Sequence, residues 1–291
     1  MNRKIFYRLA ALIFALVLIF SSASAEGIWR LDGEDLNDLP RNYRFMEDLN
    51  ISASGQPSMQ SLLVLSNELK NKLAGDGNIY IVDLREESHG FLNGYPCSYY
   101  LEKNLANFFT PRNQIESIEA EIFSDMTGSQ VDLIPLGNED KKLFKPVNIL
   151  VDFATTERDA VEALGLKYVR FPVTDMYFPT PEVVDEFILF VANLKENDLL
   201  HFHCQAGHGR TTTFTVMYEI LKNPEKSLGD ICRGQAAAGG TNLLERKAGN
   251  DYYSEAHNLR AENLLEFFFY VRGVQREEIG LSWSEYIANR K

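Results

Sequence analysis

A cysteine and an arginine six positions apart are the residues of this chain best suited to covalent chemistry. Cys204 and Arg210 bound a seven-residue loop that follows the apolar run Leu199–His203 and precedes a helical pattern. In such a strand–loop–helix turn the backbone N–H groups can point inward as an anion nest, and the helix adds its positive N-terminus. The guanidinium of Arg210 can place a planar, two-pronged donor on a phosphoryl group. The loop is therefore predicted to cradle phosphate.

Cys204 is the predicted nucleophile of this loop. The nest and the helix N-terminus should hold its side chain as a thiolate near neutral pH, and a thiolate attacks phosphorus readily. Thr211 follows where a hydroxyl can hydrogen-bond the sulfur and help it leave, and His203 precedes the cysteine. The alternative is a buried structural cysteine, which the loop glycines and the strand–loop–helix context disfavour. The loop interior is predicted to bind the anion through Gln205, Ala206, Gly207, His208 and Gly209.

A general acid is expected upstream, because a phosphocysteine mechanism needs a group that protonates the leaving oxygen and then activates water. Asp175 lies between a predicted strand, Lys167–Phe171, and a helix that Thr180 caps and Pro181 opens. This position puts it at the edge of the sheet where the cysteine loop lies. The alternative is a turn aspartate that binds its own backbone.

The elements that must position these residues alternate between strands and helices. Buried strands are predicted at Asn78–Leu84, Val147–Val151, Lys167–Phe171 and Leu199–His203. Helices are predicted at 156–164, 181–194, 211–222, 227–237 and about 257–271. This alternation predicts an α/β fold with a central sheet flanked by helices. The region from about Gly94 to Lys145 breaks the rhythm, which predicts a small β-rich insert at roughly 94–145.

The first 25 residues are typical of a secretory signal peptide. Three basic residues and no acidic one precede the apolar run Leu9–Phe20, and small residues in an A-x-A pattern end at Ala25. We expect cleavage after Ala25, export to the periplasm or the extracellular space, and a catalytic domain over 26–291. An uncleaved membrane anchor is the alternative, although the apolar run is short for a spanning helix.

The charge of the chain limits its partners. Without the segment 1–25 the chain would hold 26 basic against 41 acidic residues, a formal charge of −15. With no global basic field, nucleic acid is not an expected partner, and no membrane is expected after cleavage. An anionic substrate would need positive charge concentrated in one pocket. No run has the spacing of a metal site, so no metal or other cofactor is predicted. Cys97 and Cys232 are predicted either as buried free thiols or as a disulfide pair.

The cysteine loop resembles the signature loop of the protein tyrosine phosphatase superfamily, H-C-x-x-G-x-x-R-T. Further segments are similar to one family within it, the bacterial tyrosine-phosphatase-like inositol polyphosphate phosphatases, or cysteine phytases. These segments are Pro40–Arg44, Ser52–Gly55, Asp83–Gly94 and Thr174–Pro181. The resemblance implies a tyrosine-phosphatase-like core with a central mixed sheet and a small inserted partial β-barrel. It also implies hydrolysis of a polyanionic small molecule, chiefly phytate, without a metal.

The chain departs from that family at three positions near the chemistry. Gln205 and His208 stand where the family has Glu and a small apolar residue, and Met176 follows the acid where the family has His. These changes alter the charge of the pocket without touching the catalytic trio. The candidates for substrate binding outside the loop are the basic residues Arg44, Arg85, His89 and Lys247. A solvated surface charge is the alternative for each of them, above all for Lys247.

Three other functions remain as alternatives. A secreted protein-tyrosine or dual-specificity phosphatase would share the loop and the acid, and the segment Asp83–Gly94 favours phytate over it. A non-catalytic phosphate-binding module would be expected to lack the nucleophile, the acid or the arginine, and all three are present. A sulfurtransferase also uses a cysteine loop, but His203, the Arg-Thr ending and Asp175 disfavour it.

Overall fold

Two β-sheets and the helices packed on them make up the described part of the chain. The computed structural model describes residues 27–34, 37–108, 110–137 and 145–290. The predicted signal peptide, 1–25, lies outside these ranges. None of the helices within them combines the length and the apolar character that a membrane span requires.

The central sheet has five strands in the order β10-β4-β11-β3-β2. All neighbours run parallel except β2, which pairs antiparallel with β3 at the edge. The strands are β2 (Arg44–Met46), β3 (Ile51–Ser54), β4 (Ile79–Arg85), β10 (Lys167–Val173) and β11 (Leu199–His203). The predicted α/β class with a mixed central sheet is confirmed. Because β3, β4, β10 and β11 are parallel, their carboxyl ends meet at one edge of the sheet.

Helices cover both faces of this sheet. One face packs against α1 (Met59–Lys72) and α3 (Glu157–Ala163) through an aliphatic core. The other face packs against five helices through a core rich in aromatic rings. These helices are α4 (Pro181–Ala192), α5 (Gly209–Lys222), α6 (Leu228–Ala237), α7 (Tyr252–Gln275) and α8 (Trp283–Asn289). The helix predicted to begin near His257 begins five residues earlier, because Asp251 caps it by accepting from the backbone N–H groups of Tyr253 and Ser254.

The second sheet has six strands in the order β8-β7-β1-β6-β5-β9. The strands are β1 (Ile28–Leu31), β5 (His89–Leu92), β6 (Tyr95–Tyr100), β7 (Gln130–Pro135), β8 (Val147–Leu150) and β9 (Ala154–Thr156). One face of the sheet packs against α2 (Arg112–Met126) through a small hydrophobic core. The sheet therefore extends beyond the predicted bounds of 94–145, since it takes in β1 and β5 before them and β8 and β9 after them.

The strand predicted at Val147–Val151 belongs to this second sheet, and its predicted burial is wrong. Among the described residues it pairs with β7 alone, in antiparallel register, so it forms one edge of the sheet. Val147 is 51% exposed and Leu150 is 54% exposed. An apolar run can thus form an edge strand, since composition alone does not say which face is covered.

The three cysteines Cys97, Cys204 and Cys232 are all buried and free. The disulfide alternative for Cys97 and Cys232 is therefore wrong, and the free-thiol alternative is confirmed. Burial raises the pKa of Cys97 above its ordinary value and that of Cys232 to about 12. Both thiols should be inert, because the thiolate is the reactive form.

Candidate active site

The loop from Cys204 to Arg210, named the cysteine loop below, joins the carboxyl end of β11 to the start of α5. Gly207 has a φ of 78°, a left-handed conformation that glycine adopts without strain. A Cβ atom at Gly207 would lie 2.5 Å from the backbone nitrogen of Gly55, which follows β3. The loop can pack this closely on β3 only because this residue has no side chain.

Three side chains from the segment 41–44 bind the outer face of the cysteine loop. Arg41 Nη2 donates to the carbonyl of Gln205 at 2.6 Å. Asn42 Nδ2 donates to the carbonyl of Ala206 at 2.7 Å, and Arg44 Nη1 donates to that of Gly207 at 2.9 Å. Since these carbonyls point outward, the N–H groups of the same peptide units face the opposite side, as an anion nest requires.

Arg44, a predicted substrate ligand, is therefore a support of the loop backbone. Its side chain is buried, and Nε and Nη2 have no hydrogen-bond partner among the described residues. Burial lowers the pKa of Arg44, and the nearby Cys204 opposes that shift. Arg41, which the sequence did not single out, stands in the same relation to the loop: burial lowers its pKa, and Asp32 and Cys204 oppose the shift.

Arg210 is buried at the end of the loop and bound by Glu87. Its Nη1 and Nη2 lie 2.6 Å and 2.9 Å from the two carboxylate oxygens, and Nη1 also donates to the carbonyl of Val173 at 3.1 Å. Burial opposes the charge, but Asp175 and Glu87 hold the pKa of Arg210 well above its ordinary value. Burial also opposes the charge of Glu87, whose pKa is held well below its ordinary range by Arg210 and Arg85. Both side chains are therefore ionised.

Asp175, the predicted acid, lies beside the loop arginine in the turn between β10 and α4. Its Oδ1 is 3.3 Å from Arg210 Nε and accepts from the backbone N–H of Met176 at 3.0 Å. Its Oδ2 accepts from Asn104 Nδ2 at 2.9 Å. The side chain is 33% exposed, so a ligand in the loop can reach it. The structure thus brings Cys204, Arg210 and Asp175 together at one edge of the sheet.

Arg85 and His89 were predicted to bind substrate, but in the structure buried carboxylates occupy both side chains. Arg85 is fully buried, with Nη2 2.8 Å from Asp32 and Nε 2.9 Å from Glu87. His89 is also buried, with Nε2 2.9 Å from Glu157. Burial, more than any charged neighbour, holds the pKa of His89 well below its ordinary value. Both residues belong to a buried ion-pair network under the loop.

Two further predicted residues, His203 and Thr211, are buried beside the loop. His203 is buried behind the loop, and burial together with Arg85 and Arg170 lowers its pKa to about 3. The hydroxyl of Thr211 is buried and has no hydrogen-bond partner among the described residues, so its role toward sulfur stays a prediction.

His208 is exposed, with Nε2 3.0 Å from Asn42 Nδ2. Lys247 Nζ pairs with Glu245 at 3.3 Å, and its substrate role also stays a prediction.

Arg260 is a candidate substrate-binding residue that the sequence did not single out. It comes from α7, is 2% exposed, and places Nη1 against the loop, 2.5 Å from where a Cβ of Gly209 would lie. Its Nε and Nη1 have no hydrogen-bond partner among the described residues. Burial lowers the pKa of Arg260, while Asp175 and Cys204 oppose the shift. The signal was present: Arg260 falls on the buried stripe of its helix, between Ala256 and Leu264, where an arginine needs an anionic partner.

One cluster has the composition of a metal site. Asp83, His89 and Glu157 each present a ligand atom within 4.8 Å of the others, and all three are buried. However, Asp83 already accepts from the hydroxyl of Tyr168 at 2.7 Å and pairs with Arg170 at 3.1 Å. A divalent cation would have to displace these donors beside a buried arginine. The cluster fits a hydrogen-bonded ion-pair network better than a metal centre.

The site therefore joins a buried cysteine, a backbone anion nest, a clamped arginine and a neighbouring carboxylate at the carboxyl edge of a mixed sheet. This combination defines the class of cysteine-dependent phosphatases. Residues 82–222 match the family model of the PTP-like phytases, whose description names inositol hexakisphosphate.

Two solved structures share the fold over most of the chain. The PTP-like myo-inositol phosphatase from Mitsuokella multacida, in complex with myo-inositol-(1,3,4,5)-tetrakisphosphate, is 30% identical with a TM-score of 0.84, and the match covers 95% of this chain and 52% of that one. A PTP-like phytase from Bdellovibrio bacteriovorus is 28% identical with a TM-score of 0.74, over 90% of this chain and 95% of that one. Effector protein hopD2 of Pseudomonas syringae pv. tomato is 31% identical over 153 residues, which is 51% of this chain and 33% of the effector.

The chain belongs to the PTP-like phytase family. It spans about half the length of the Mitsuokella protein and a third of that of the effector. The predicted tyrosine-phosphatase-like core with a half-barrel sheet is confirmed by these matches.

Proposed function

We propose that this protein hydrolyses phosphomonoesters of inositol polyphosphates, with phytate as its main substrate, through a phosphocysteine intermediate. The observation that carries the proposal is the concentration of positive charge around one thiol. Arg210 ends the cysteine loop, Arg41 and Arg44 bind its carbonyls, and Arg260 places Nη1 against Gly209, in a chain whose formal net charge is −12. A substrate with several phosphates can use more than one of these arginines, whereas a single phosphate needs only Arg210 and the nest.

The proposed reaction has two steps. The thiolate of Cys204 attacks phosphorus, the bond to the inositol oxygen breaks, and Asp175 gives its proton to that oxygen. Water then attacks the phosphocysteine, Asp175 takes a proton from the water, and the thiolate leaves as inorganic phosphate is released. The inward N–H groups of the loop and Arg210 stabilise the charge that develops on the phosphoryl oxygens in both steps.

The test is the variant Cys204→Ser. Phosphate release from inositol hexakisphosphate should be abolished, while calorimetry should still detect binding of the substrate, because the nest and the arginines remain. Cys232→Ser is the matched control, since Cys232 is a buried thiol outside the site, and it should keep its activity. Appreciable turnover by Cys204→Ser would sink the covalent mechanism. Faster turnover of a phosphotyrosine peptide than of phytate by the unmodified protein would sink the substrate assignment.

Export is a further part of the proposal, and it rests on the sequence of residues 1–25. The basic start, the apolar run and the A-x-A pattern support a cleaved signal peptide. N-terminal sequencing of the protein recovered from cell fractions tests it. We expect a new terminus at Glu26 in a periplasmic or extracellular fraction, and an intact Met1 terminus in the cytoplasm would contradict it.

A further inference from the structure

The turn that follows β6 of the second sheet contributes one side chain to Asp175. After β6 the chain forms a short turn, Leu101–Leu105, before it enters α2. From this turn Asn104 donates its side-chain N–H to Asp175 Oδ2 at 2.9 Å. Asn104 is only 7% exposed, so water competes little for this hydrogen bond.

The backbone of the turn is held in a conformation that its sequence does not favour. Lys103 has a φ of 62° and Asn104 a φ of 60°, both left-handed. Asparagine adopts this region more readily than lysine does, and a lysine persists there where its surroundings hold it in place. The residues that hold Lys103 lie next to the turn that carries Asp175. Lys103 Nζ lies 4.6 Å from the ring centroid of Tyr252, and that ring is 6.0 Å from the ring of Tyr177. Tyr177 follows Asp175 in the same turn.

We propose that Asn104 is a positioning residue for the general acid, and that the turn after β6 holds Asp175 beside Arg210. The proposal rests on the proposed function, in which Asp175 donates and then recovers a proton.

The amide of Asn104 suits both protonation states of the acid. In the structure its N–H group donates to Asp175 Oδ2, an oxygen that accepts when the carboxyl group is ionised. Its Oδ1 is buried and has no hydrogen-bond partner among the described residues. A 180° rotation of the amide presents this oxygen instead, and it can accept the proton of a neutral Asp175. One side chain can thus hold the acid in place through both steps of the reaction.

Other charged and titratable groups lie around Asp175 and also influence the pH profile of the reaction. Arg210 of α5 and Arg260 of α7 are the cations, and Tyr252 of α7 is the phenol. Burial also raises the pKa of the nearby Glu86 to about 7. Substitutions at Asn104 leave all four groups in place, so a change in the pH profile would report the altered contact.

Two variants and one control test the proposal. Asn104→Gly keeps the left-handed backbone but loses the amide, and it should lower kcat on inositol hexakisphosphate by about 10- to 100-fold, the usual range for a misplaced reacting group. The loss should be smaller on p-nitrophenyl phosphate, whose leaving group needs little protonation. Asn104→Asp is isosteric and adds a carboxylate, so the alkaline limb of its kcat profile should move to higher pH by about one unit. Asn107→Gly is the control, because Asn107 lies in the same segment but binds Glu86 O and Ser88.

The outcomes separate the two proposals. Equal losses on both substrates for Asn104→Gly, or an alkaline limb that does not move in Asn104→Asp, would overturn the role of Asn104. The same substrate dependence in Asn107→Gly would also overturn it, since the effect would then belong to the fold of the segment. If Asn104→Gly fails to fold, Asn104→Asp still decides the matter. If Asp175→Asn slows both substrates equally, the acid assignment itself fails, and the role of Asn104 falls with it.

Discussion

Glu87 holds the guanidinium of Arg210 through two hydrogen bonds, at 2.6 Å and 2.9 Å, beneath the cysteine loop. The same carboxylate accepts from Arg85 Nε at 2.9 Å, and Arg85 Nη2 lies 2.8 Å from Asp32. The loop arginine is thus the last member of a buried row of alternating charges. This row leaves Arg210 with Nε directed at Asp175 and with little rotational freedom, which is the preorganisation that stabilisation of a transition state requires.

Glu87→Gln should therefore reduce both stability and turnover. Removal of one partner from a buried ion pair typically costs about 3–5 kcal/mol, because a charge is left without compensation. Denaturant unfolding measures the loss, and phosphate release measures kcat, which should fall with it. Asp230→Asn is the matched control: Asp230 pairs with Arg233 on the surface, and loss of that pair should change little. A stable Glu87→Gln variant with normal kcat would show that Arg210 is positioned by other contacts.

Glu86 should make the protein less stable as the pH rises. Burial raises the pKa of Glu86 to about 7 from the ordinary value of 4.5, so the folded state holds its proton more tightly than the unfolded state does. Its stabilising contribution is therefore complete below about pH 4.5 and is lost as the pH rises to about 7, with a total of about 3 kcal/mol. Glu86→Gln removes this titration, so the variant should gain stability relative to the unmodified protein between pH 4.5 and pH 8. Parallel stability curves for the two proteins over that range would contradict the prediction.

Arg260→Met should weaken the binding of polyphosphates more than that of simple phosphates. The buried guanidinium lies against the loop, and two of its nitrogens have no partner in the part of the chain that the structure describes, so a second phosphate of the substrate is the anion it can bind. The loss of one charge-assisted hydrogen bond corresponds to a rise of about 10- to 100-fold in KM for inositol hexakisphosphate. KM for p-nitrophenyl phosphate should change less. Arg246→Met is the control, because Arg246 is exposed and pairs with Glu262, and equal effects of both variants would contradict the prediction.

The chemistry of the loop could be read from the sequence because its parts are local. Cys204, Arg210 and the start of α5 lie within a few residues of one another, and one strand–loop–helix turn brings them together. Asp175 could also be placed, because parallel strands end at one edge of the sheet.

The distal residues could not be placed in this way, because their roles depend on long-range pairing. Arg85 and His89 lie near a strand end, as site residues do, but their pairs with Asp32 and Glu157 hold both side chains in the interior. The spacing of residues in the sequence does not reveal these pairs. Arg260 joins the site only because α7 packs against the cysteine loop. Its place on the buried stripe of the helix was the one available signal.

Asp175→Asn is the variant that tests the acid directly. Asp175 lies 3.3 Å from Arg210 and is exposed enough to reach a leaving oxygen, so its loss should slow phytate hydrolysis by about 10²- to 10⁴-fold, the usual range for a positioned proton donor. The loss should shrink for p-nitrophenyl phosphate, whose leaving group is a weak base. The kcat profile should lose its alkaline limb, because that limb reports an acid that must be protonated, and substrate affinity should hold or improve as a negative charge is removed. Equal slowing of both substrates with the alkaline limb retained would show that Asp175 only shapes the turn. Glu86, whose pKa burial raises to about 7, would then become the next candidate for the acid.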